Sequence, residues 1–392
     1  MAYAEGRTFL DADSHIMELP DFLRDHASSA MRDQMPRLSL SSGGKLADAL
    51  ETLGRRRAHA PETVEELVGL GDGLISGPKG YEALGAFNRD ERSQALDLLG
   101  FDRQWVFATF STGEIFNGLA AAGDHHVTGE ALAAHNRGMA EFCAADERLL
   151  GVGAAMLDDP DHAVATLQQI IDLGLDAVWI PHRPAAGRSP GHDDHDRFWA
   201  LAAEAGVTVV LHVGGDPLQL HPHWMNTGRE VPSDWLGGGE NVRGKDMIAL
   251  HHAAETFVGV LVLDGVLERH PALRMGVVEL GAAWVPAMLR RLDQIAEIWK
   301  RSEPELAALD RRPSEQITAQ IGFTPYPFED VGAMIAESNP DLYLFSSDYP
   351  HIEGGRNPLG RFSQSLAGYG DDVLEKFYQA NMARLIGNRV SG

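Results

Sequence analysis

Short apolar runs rich in β-branched residues alternate with longer amphipathic segments along most of the chain. Such runs, bounded by polar residues, are typical of buried strands, and the segments between them have the period of helices. The pattern predicts eight strands, the seventh of them weak. They span 8–13, 104–109, 149–156, 176–180, 207–212, 274–279, 317–323 and 342–347.

The helical segments end where the next strand is about to begin. The segments 160–173 and 193–205 are followed by Gly174 and Gly206, as expected of helix C-caps. Strands that alternate with helices of this length form parallel sheets. Eight such units favour a closed (β/α)8 barrel. The alternative is an open doubly wound sheet, which is disfavoured because no dinucleotide-binding glycine motif follows the first strand.

Two regions interrupt this rhythm. Residues 25–88 read as an insertion after strand one, and residues 216–243 form a long loop after strand five. Loops that follow barrel strands build the active site, so both regions are predicted to line a pocket. Trp224 and Trp235 in the strand-five loop are candidate walls for an apolar substrate. The chain is otherwise predicted to be one domain over 1–392.

The amino-acid composition and net charge limit which kinds of molecule the protein is expected to bind. The 392 residues are 44% hydrophobic and 23% charged, which is ordinary for a globular protein, with a net charge of −24. Nucleic acids and anionic membranes bind clustered Lys and Arg, so neither is expected as a partner. A small-molecule substrate is expected instead, and an anionic one would need a local positive charge.

The single cysteine, Cys143, excludes an intramolecular disulfide and a thiolate metal site. It is predicted to be a small buried apolar residue. The first residues lack the pattern of a signal peptide, and no stretch was expected to reach the ~18 apolar residues of a membrane span. These features predict a cytoplasmic protein.

Four polar residues stand at the carboxyl ends of three predicted strands. Asp13 ends strand one and His15 follows it, His212 ends strand five, and Asp348 follows strand eight. Alternate side chains of a strand share one face, so Asp13 and His15 are predicted to point together into the barrel mouth. Imidazoles and carboxylates that converge there can bind one divalent metal ion.

Several motifs also resemble a known family. DADSHIMELP at 11–20, LHVGG, LFSSDYPH and the block 265–293 are similar to the ACMSD-like branch of the amidohydrolase superfamily, over 11–387 apart from the insertion. The resemblance implies a distorted (β/α)8 barrel with one divalent metal. By position it maps the ligands onto Asp13, His15, His212 and Asp348.

This sequence departs from the family pattern at two positions. Asp13 replaces the first histidine of the usual His-x-His motif, and the resulting two nitrogens and two oxygens favour Mn²⁺ or Fe²⁺, with Zn²⁺ still open. Decarboxylases of this branch have a histidine at the end of strand six, where this chain has Glu279. Glu279 is either a general base or a structural anchor, and both interpretations stay open.

Other residues are weaker candidates for the site. His182 could contact substrate, act as an acid or cap a loop; of His251 and His252, adjacent on a predicted helix, one could reach the pocket. His351 is expected to support a ligand from behind. Glu18 either does the same or, as we favour, caps the helix that follows it.

Three functions follow from these residues. The favoured one is metal-dependent hydrolysis of an acyl bond in an ester, thioester, lactone or amide, with Glu279 or a histidine as the base. The alternative is non-oxidative decarboxylation, or C–C hydrolysis, of an aromatic or unsaturated acid, with His182 or His251 as proton donor. A binding barrel without catalysis is a remote third. Relatives often associate, so a homodimer is a further expectation.

Overall fold

A computed structural model of the protein describes residues 2–38, 45–216, 220–230 and 244–386. Seven parallel strands form one sheet, in which each strand pairs with the next along the chain. The strands are β1 (Leu10–Ile16), β2 (Arg103–Ala108), β3 (Leu149–Ala154), β4 (Ala177–Trp179), β5 (Thr208–His212), β6 (Met275–Val278) and β7 (Ile321–Phe323).

The predicted eighth strand is replaced by an irregular segment that closes the sheet. Tyr343 forms a parallel bridge with Phe323 of β7, and Tyr349 forms one with Ser14 of β1. Ala12 N also donates a hydrogen bond of 3.0 Å to Phe345 O. The predicted (β/α)8 barrel is therefore confirmed, but the prediction of a regular strand over 342–347 was wrong. Isolated bridges to the two neighbours take the place of a continuous ladder.

Helices connect the strands and cover the outside of the barrel. Gly174 and Gly206 follow two of them with φ of 74° and 68°, the left-handed conformation that glycine adopts most easily, so both predicted helix ends are confirmed. The helices are α1 (Phe22–His26), α2 (Lys45–Arg56), α3 (Pro61–Val68), α4 (Arg89–Leu99), α5 (Ser111–Gly113), α6 (Ala120–Ala122), α7 (His125–Cys143), α8 (Pro160–Asp172), α9 (Asp196–Ala205), α10 (Asp246–Ala249), α11 (His252–Leu263), α12 (Val266–Arg269), α13 (Val285–Trp299), α14 (Pro304–Ala307), α15 (Pro313–Gln320), α16 (Val331–Glu337), α17 (Pro358–Ser365), α18 (Asp371–Glu375) and α19 (Asn381–Ile386).

The described part of the region predicted as an insertion, 25–38 and 45–88, holds short helices rather than barrel strands. It contains α2, α3 and 3-10 turns at Arg32–Gln34, Gly71–Ser76 and Gly80–Glu82. Met17 N donates a 2.7 Å hydrogen bond to Ala86 O, which fixes the end of this region against the end of β1.

One segment has the length and composition of a membrane span. Asp246–Leu263 has a mean hydropathy of 1.3 over 18 residues, contrary to the expectation that no stretch is long and apolar enough, and half of it is buried inside the fold. In the structure it is divided into α10 and α11. A buried helix in the core of a globular protein passes the same test, so this is weak support for a span.

Candidate metal centre

Five buried side chains meet at the carboxyl ends of the strands. Asp13 Oδ1 lies 3.2 Å from His15 Nε2 and 3.4 Å from His212 Nε2. Glu279 Oε2 lies 3.2 Å from His212 Nε2 and 3.6 Å from His15 Nε2. Asp348 Oδ1 lies 3.6 Å from His15 Nε2. The structure thus brings the predicted ligands Asp13, His15 and His212 into one group with Glu279 that could hold a metal ion. Asp348 falls in a second, overlapping metal-binding group with His15, Glu279 and His351.

The first two side chains reach the cluster from β1. Asp13 and His15 are two positions apart and point to the same place, as the alternation of a strand predicts. The pairing of β1 with β2 shifts by one residue between Asp11 and Ser14. Asp13 lies within this irregularity, and bulges near active sites commonly re-aim side chains.

Glu279 and Asp348 both have left-handed backbones, with φ of 54° and 53°. This conformation costs a non-glycine residue about 1–3 kcal/mol, so the surrounding structure must hold it. Glu279 N donates to Thr324 Oγ1 at 2.8 Å, and Tyr326 Oη donates to Glu279 O at 2.8 Å. Asp348 N donates to Asp13 O at 2.9 Å. Strain concentrated at two neighbouring carboxylates is typical of a functional site.

The histidines present lone pairs to the cluster. His212 Nδ1 lies 3.0 Å from the carbonyl oxygen of Val213, which can only accept, so in a neutral ring the proton is on Nδ1 and the lone pair of Nε2 faces Asp13 Oδ1 at 3.4 Å. Neither ring nitrogen of His15 has a hydrogen-bond partner, although both are buried. The ligand atoms of Asp13, His15, His212 and Glu279 all lie within 4.8 Å of one another, and imidazole nitrogens and carboxylate oxygens are ligands that divalent metal ions take in proteins. The donor set therefore fits a divalent metal ion.

Burial and neighbouring charges set the protonation of the cluster. Burial lowers the pKa of His15 to about 3, so its ring is neutral at neutral pH. Burial alone would raise the pKa of Asp13, but its contacts with His15 and His212 outweigh that effect and lower it. Burial raises the pKa of Asp348 to about 6, against the opposing contact with His351. Neutral imidazoles beside ionised carboxylates are the protonation states that metal binding requires.

Sequence comparison decides the family. The sequence model described as Amidohydrolase matches residues 58–387, which is most of the chain. The protein belongs to the amidohydrolase family. The matched range begins after Asp13 and His15, so it does not include these two predicted ligands. No curated protein sequence matches the chain.

Solved structures share the fold of this amidohydrolase. An amidohydrolase from Mycobacterium avium subsp. paratuberculosis K-10 is 22% identical, with a TM-score of 0.73 over 98% of this chain and 100% of its own. A 2,6-dihydroxybenzoate decarboxylase from Rhizobium is 18% identical, with a TM-score of 0.61 over 99% and 100%. A dihydroxybenzoic acid decarboxylase from Polaromonas sp. JS666, with bound manganese and 2-nitroresorcinol, is 16% identical, with a TM-score of 0.59 over 97% of each chain.

The cluster of the amidohydrolase is supported from behind by a chain of contacts. His351 Nδ1 lies 3.0 Å from Asp348 Oδ1, and its Nε2 lies 2.9 Å from Thr109 Oγ1. Glu18 accepts hydrogen bonds from the backbone N–H groups of Thr109, Phe110 and Ser111 at 2.8 to 3.2 Å. His351 thus contacts the predicted ligand Asp348, and its supporting role stays a prediction. Glu18 does not cap α1, the helix that follows it, as we had favoured, because it turns instead to the loop after β2.

Asp11 is a further buried carboxylate whose role the sequence did not indicate. It accepts hydrogen bonds from Ser347 N at 2.7 Å, Ser347 Oγ at 2.6 Å and Gln104 Nε2 at 2.6 Å. Burial raises its pKa to about 7 despite these bonds. Asp11 ties β1 to the closing segment one residue before Asp348. Asp11 lies two residues before Asp13 on the same strand, and this spacing was the sequence feature that could have indicated that it lies on the same face.

The remaining predicted histidines do not join the cluster. His182 is buried and packs beside Gly215, and burial lowers its pKa to about 4, so its ring is neutral. His251 is partly exposed and stacks on Trp284, with ring centroids 5.6 Å apart, while His252 is exposed. Among the described residues, neither metal-binding group includes His182 or His251. Their assignment to catalysis stays a prediction.

The two tryptophans of the strand-five loop give no support to a pocket wall. Trp224 is 70% exposed, and Trp235 lies outside the described residues. Cys143 is buried, as predicted.

Two cavities open near the metal centre. A small one of about 10 Å³, lined by Asp13, Glu279 and Asp348, has room for about one water molecule. A larger one of about 460 Å³ is lined by Phe116, Met156 and Arg183 among others. The ring centroids of Phe116 and Trp179 are 5.6 Å apart, and those of Trp179 and His212 are 4.7 Å apart. These aromatic rings therefore separate the larger cavity from the predicted ligands.

Proposed function

We propose that this amidohydrolase hydrolyses an acyl bond in an ester, thioester, lactone or amide. The observation that carries the proposal is the position of Glu279, whose Oε2 lies within 3.6 Å of both histidine ligands. In this position a carboxylate can take the proton of an attacking water. A divalent ion bound to the cluster would polarise the acyl carbonyl and lower the pKa of a coordinated water.

Different residues of the chain would bind that ion and accept the proton. Asp13, His15, His212 and Asp348 would hold it, with Mn²⁺ or Fe²⁺ preferred over Zn²⁺ by two nitrogens and two oxygens. Glu279 would accept a proton at Oε2. The small cavity beside it has room for the water.

The charge of the cluster favours hydrolysis over decarboxylation. Three carboxylates, those of Asp13, Glu279 and Asp348, already surround the metal position. A carboxylate substrate that must bind the metal directly would meet these like charges, whereas a neutral acyl carbonyl would not. His182, a predicted proton donor for carbon, is neutral because burial lowers its pKa to about 4.

Decarboxylation is the second candidate, because two of the structural neighbours described above are aromatic-acid decarboxylases and one contains manganese. The test is release of CO₂ from 2,6-dihydroxybenzoate and 5-carboxyvanillate by the metal-loaded protein. Release at rates above those for activated esters would replace hydrolysis as the proposed function.

Glu279→Gln tests hydrolysis directly. Gln keeps an oxygen that can face the metal but cannot accept a proton, so kcat/KM for p-nitrophenyl esters should fall by about 10²–10⁴-fold with metal content unchanged. Glu297→Gln, at an exposed position of α13, is the matched control. Unchanged ester turnover in Glu279→Gln would remove the proposed base.

A further inference from the structure

Lys79 carries a buried ammonium group that the metal centre does not use. Along the chain, Lys79 lies in the connection between β1 and β2, directly before the 3-10 turn Gly80–Glu82. Its Nζ has less than 1 Å² of exposed surface and no hydrogen-bond partner. The same atom lies 5.7 Å from the ring centroid of Tyr349, the residue after Asp348. A buried charge without a hydrogen bond is costly, so a partner from outside the chain would stabilise it.

The backbone around Lys79 is fixed against the loop that follows Asp348. Gly80 N donates to Pro350 O at 2.9 Å, and Ser76 Oγ donates to Arg356 O at 2.7 Å. Lys79 lies between these two attachments. Its position relative to the metal centre is therefore set before any ligand binds, which reduces the entropy lost on binding.

The charges near Lys79 keep it a cation beside the metal centre. Burial lowers the pKa of Lys79 to about 8, and the nearby Arg356 acts in the same direction, while the carboxylates of Asp348 and Glu353 act in the opposite direction. Lys79 is thus mostly protonated at neutral pH. Glu353 lines the small cavity together with Asp348, and its Oε1 is also buried without a hydrogen bond. Lys79 and Glu353 are close enough to interact electrostatically but make no ion pair.

We propose that Lys79 binds a carboxylate group of the substrate, at the end remote from the bond that is broken. This inference rests on the proposed acyl hydrolysis and names its substrate class as acyl derivatives of dicarboxylic acids. With a net charge of −24 and three carboxylates at the metal centre, an anionic substrate needs a fixed cation. One buried ammonium balances one carboxylate, and the carboxylates of Asp348 and Glu353 disfavour an anion of higher charge.

Binding to the metal-loaded protein tests the inference without requiring turnover. Dicarboxylates from malonate to adipate are titrated by calorimetry beside their monoamides. At least one diacid should bind wild-type protein about tenfold more tightly than its monoamide, and Lys79→Met should reduce that ratio to about one. Lys79→Arg should restore it, and Lys300→Met, at an exposed lysine, should leave it unchanged. Lys79→Gln makes the same comparison if Lys79→Met does not fold.

Two outcomes overturn the inference: no diacid preference in wild-type protein, or a preference that survives in Lys79→Met. Kinetics separate it from the proposed function. For p-nitrophenyl hydrogen glutarate, Lys79→Met should raise KM about tenfold with kcat little changed, while p-nitrophenyl butyrate is unaffected. If no ester is hydrolysed but the diacid preference depends on Lys79, hydrolysis fails and the carboxylate site stands.

Discussion

The imidazole ring of His351 stacks on that of His15, with ring centroids 3.9 Å apart and planes inclined by 24°. The same ring touches Asp348 through Nδ1, at 3.0 Å from Oδ1. One side chain thus orients two predicted ligands that come from opposite ends of the sequence. Residues that orient ligands in this way commonly control metal affinity as strongly as the ligands do.

His351→Phe should weaken metal binding while the fold stays intact. Phenylalanine keeps a flat ring against His15 but has no ring nitrogen to interact with the carboxylate of Asp348 or the hydroxyl of Thr109. We expect the dissociation constant of Mn²⁺ to rise about 10–100-fold, measured by competition with a chelator. His126→Phe, at an exposed histidine of α7, is the control. Equal affinities in wild type and His351→Phe would show that the stacking is only packing.

Tyr326→Phe should lower activity more than stability. It removes the hydrogen bond to the carbonyl of Glu279, which helps to hold that residue in its left-handed conformation. We expect a loss of about 1 kcal/mol in the free energy of unfolding and a several-fold fall in kcat/KM. Tyr369→Phe removes an equivalent bond, to Gly332 O at 2.6 Å. Its activity should match wild type, and a fall equal to that of Tyr326→Phe would refute the effect on Glu279.

The pair His59–Glu91 should make stability depend on pH. His59 Nδ1 lies 2.6 Å from Glu91 Oε2, and its Nε2 lies 2.9 Å from Tyr81 O. Burial alone would lower the pKa of His59, but these contacts outweigh it and raise the pKa. A raised histidine pKa gives stability that is full below the unfolded value, about 6.5, and is lost as pH rises through the folded value. The pair should therefore stabilise the protein more at about pH 6 than at about pH 9.

Glu91→Gln measures this dependence. Denaturant unfolding should show a larger loss of free energy at about pH 6 than at about pH 9. Glu130 pairs with Arg137, which does not titrate in this range, so the loss caused by Glu130→Gln should be the same at both values. A loss in Glu91→Gln that is as flat as this control would show that His59 is not charged in the folded protein.

Most of the fold could be predicted because each strand is apolar and each connection is helical. The strand ends differ by a few residues: β1 continues to Ile16, beyond the predicted end at 13, because its polar residues face the barrel mouth rather than solvent. The eighth strand could not be predicted correctly, since LYLFSS is as apolar as a strand but makes only isolated bridges. A run of apolar residues indicates that a segment is buried, and this segment is buried without forming a regular ladder of hydrogen bonds to neighbouring strands.

The site could be predicted in its chemistry but not in its geometry. Strand-end positions were enough to select Asp13, His15, His212 and Asp348, while Glu279 was known only as a base or an anchor. No residue pattern signals the left-handed backbones that turn Glu279 and Asp348 inward, since both depend on bonds from distant segments. Lys79 was missed because its position results from how residues 25–88 fold back onto the barrel.

Metal analysis of protein purified without added metal or chelator tests the central claim most directly. Wild-type protein should contain about one equivalent of a divalent metal, Mn²⁺ or Fe²⁺ by preference. Asp13→Asn and Asp348→Asn should each lose most of it while staying folded, and Asn tolerates the left-handed backbone of Asp348. Wild-type protein that binds no divalent metal under any loading condition, or variants that retain a full equivalent, would contradict the metal centre described above.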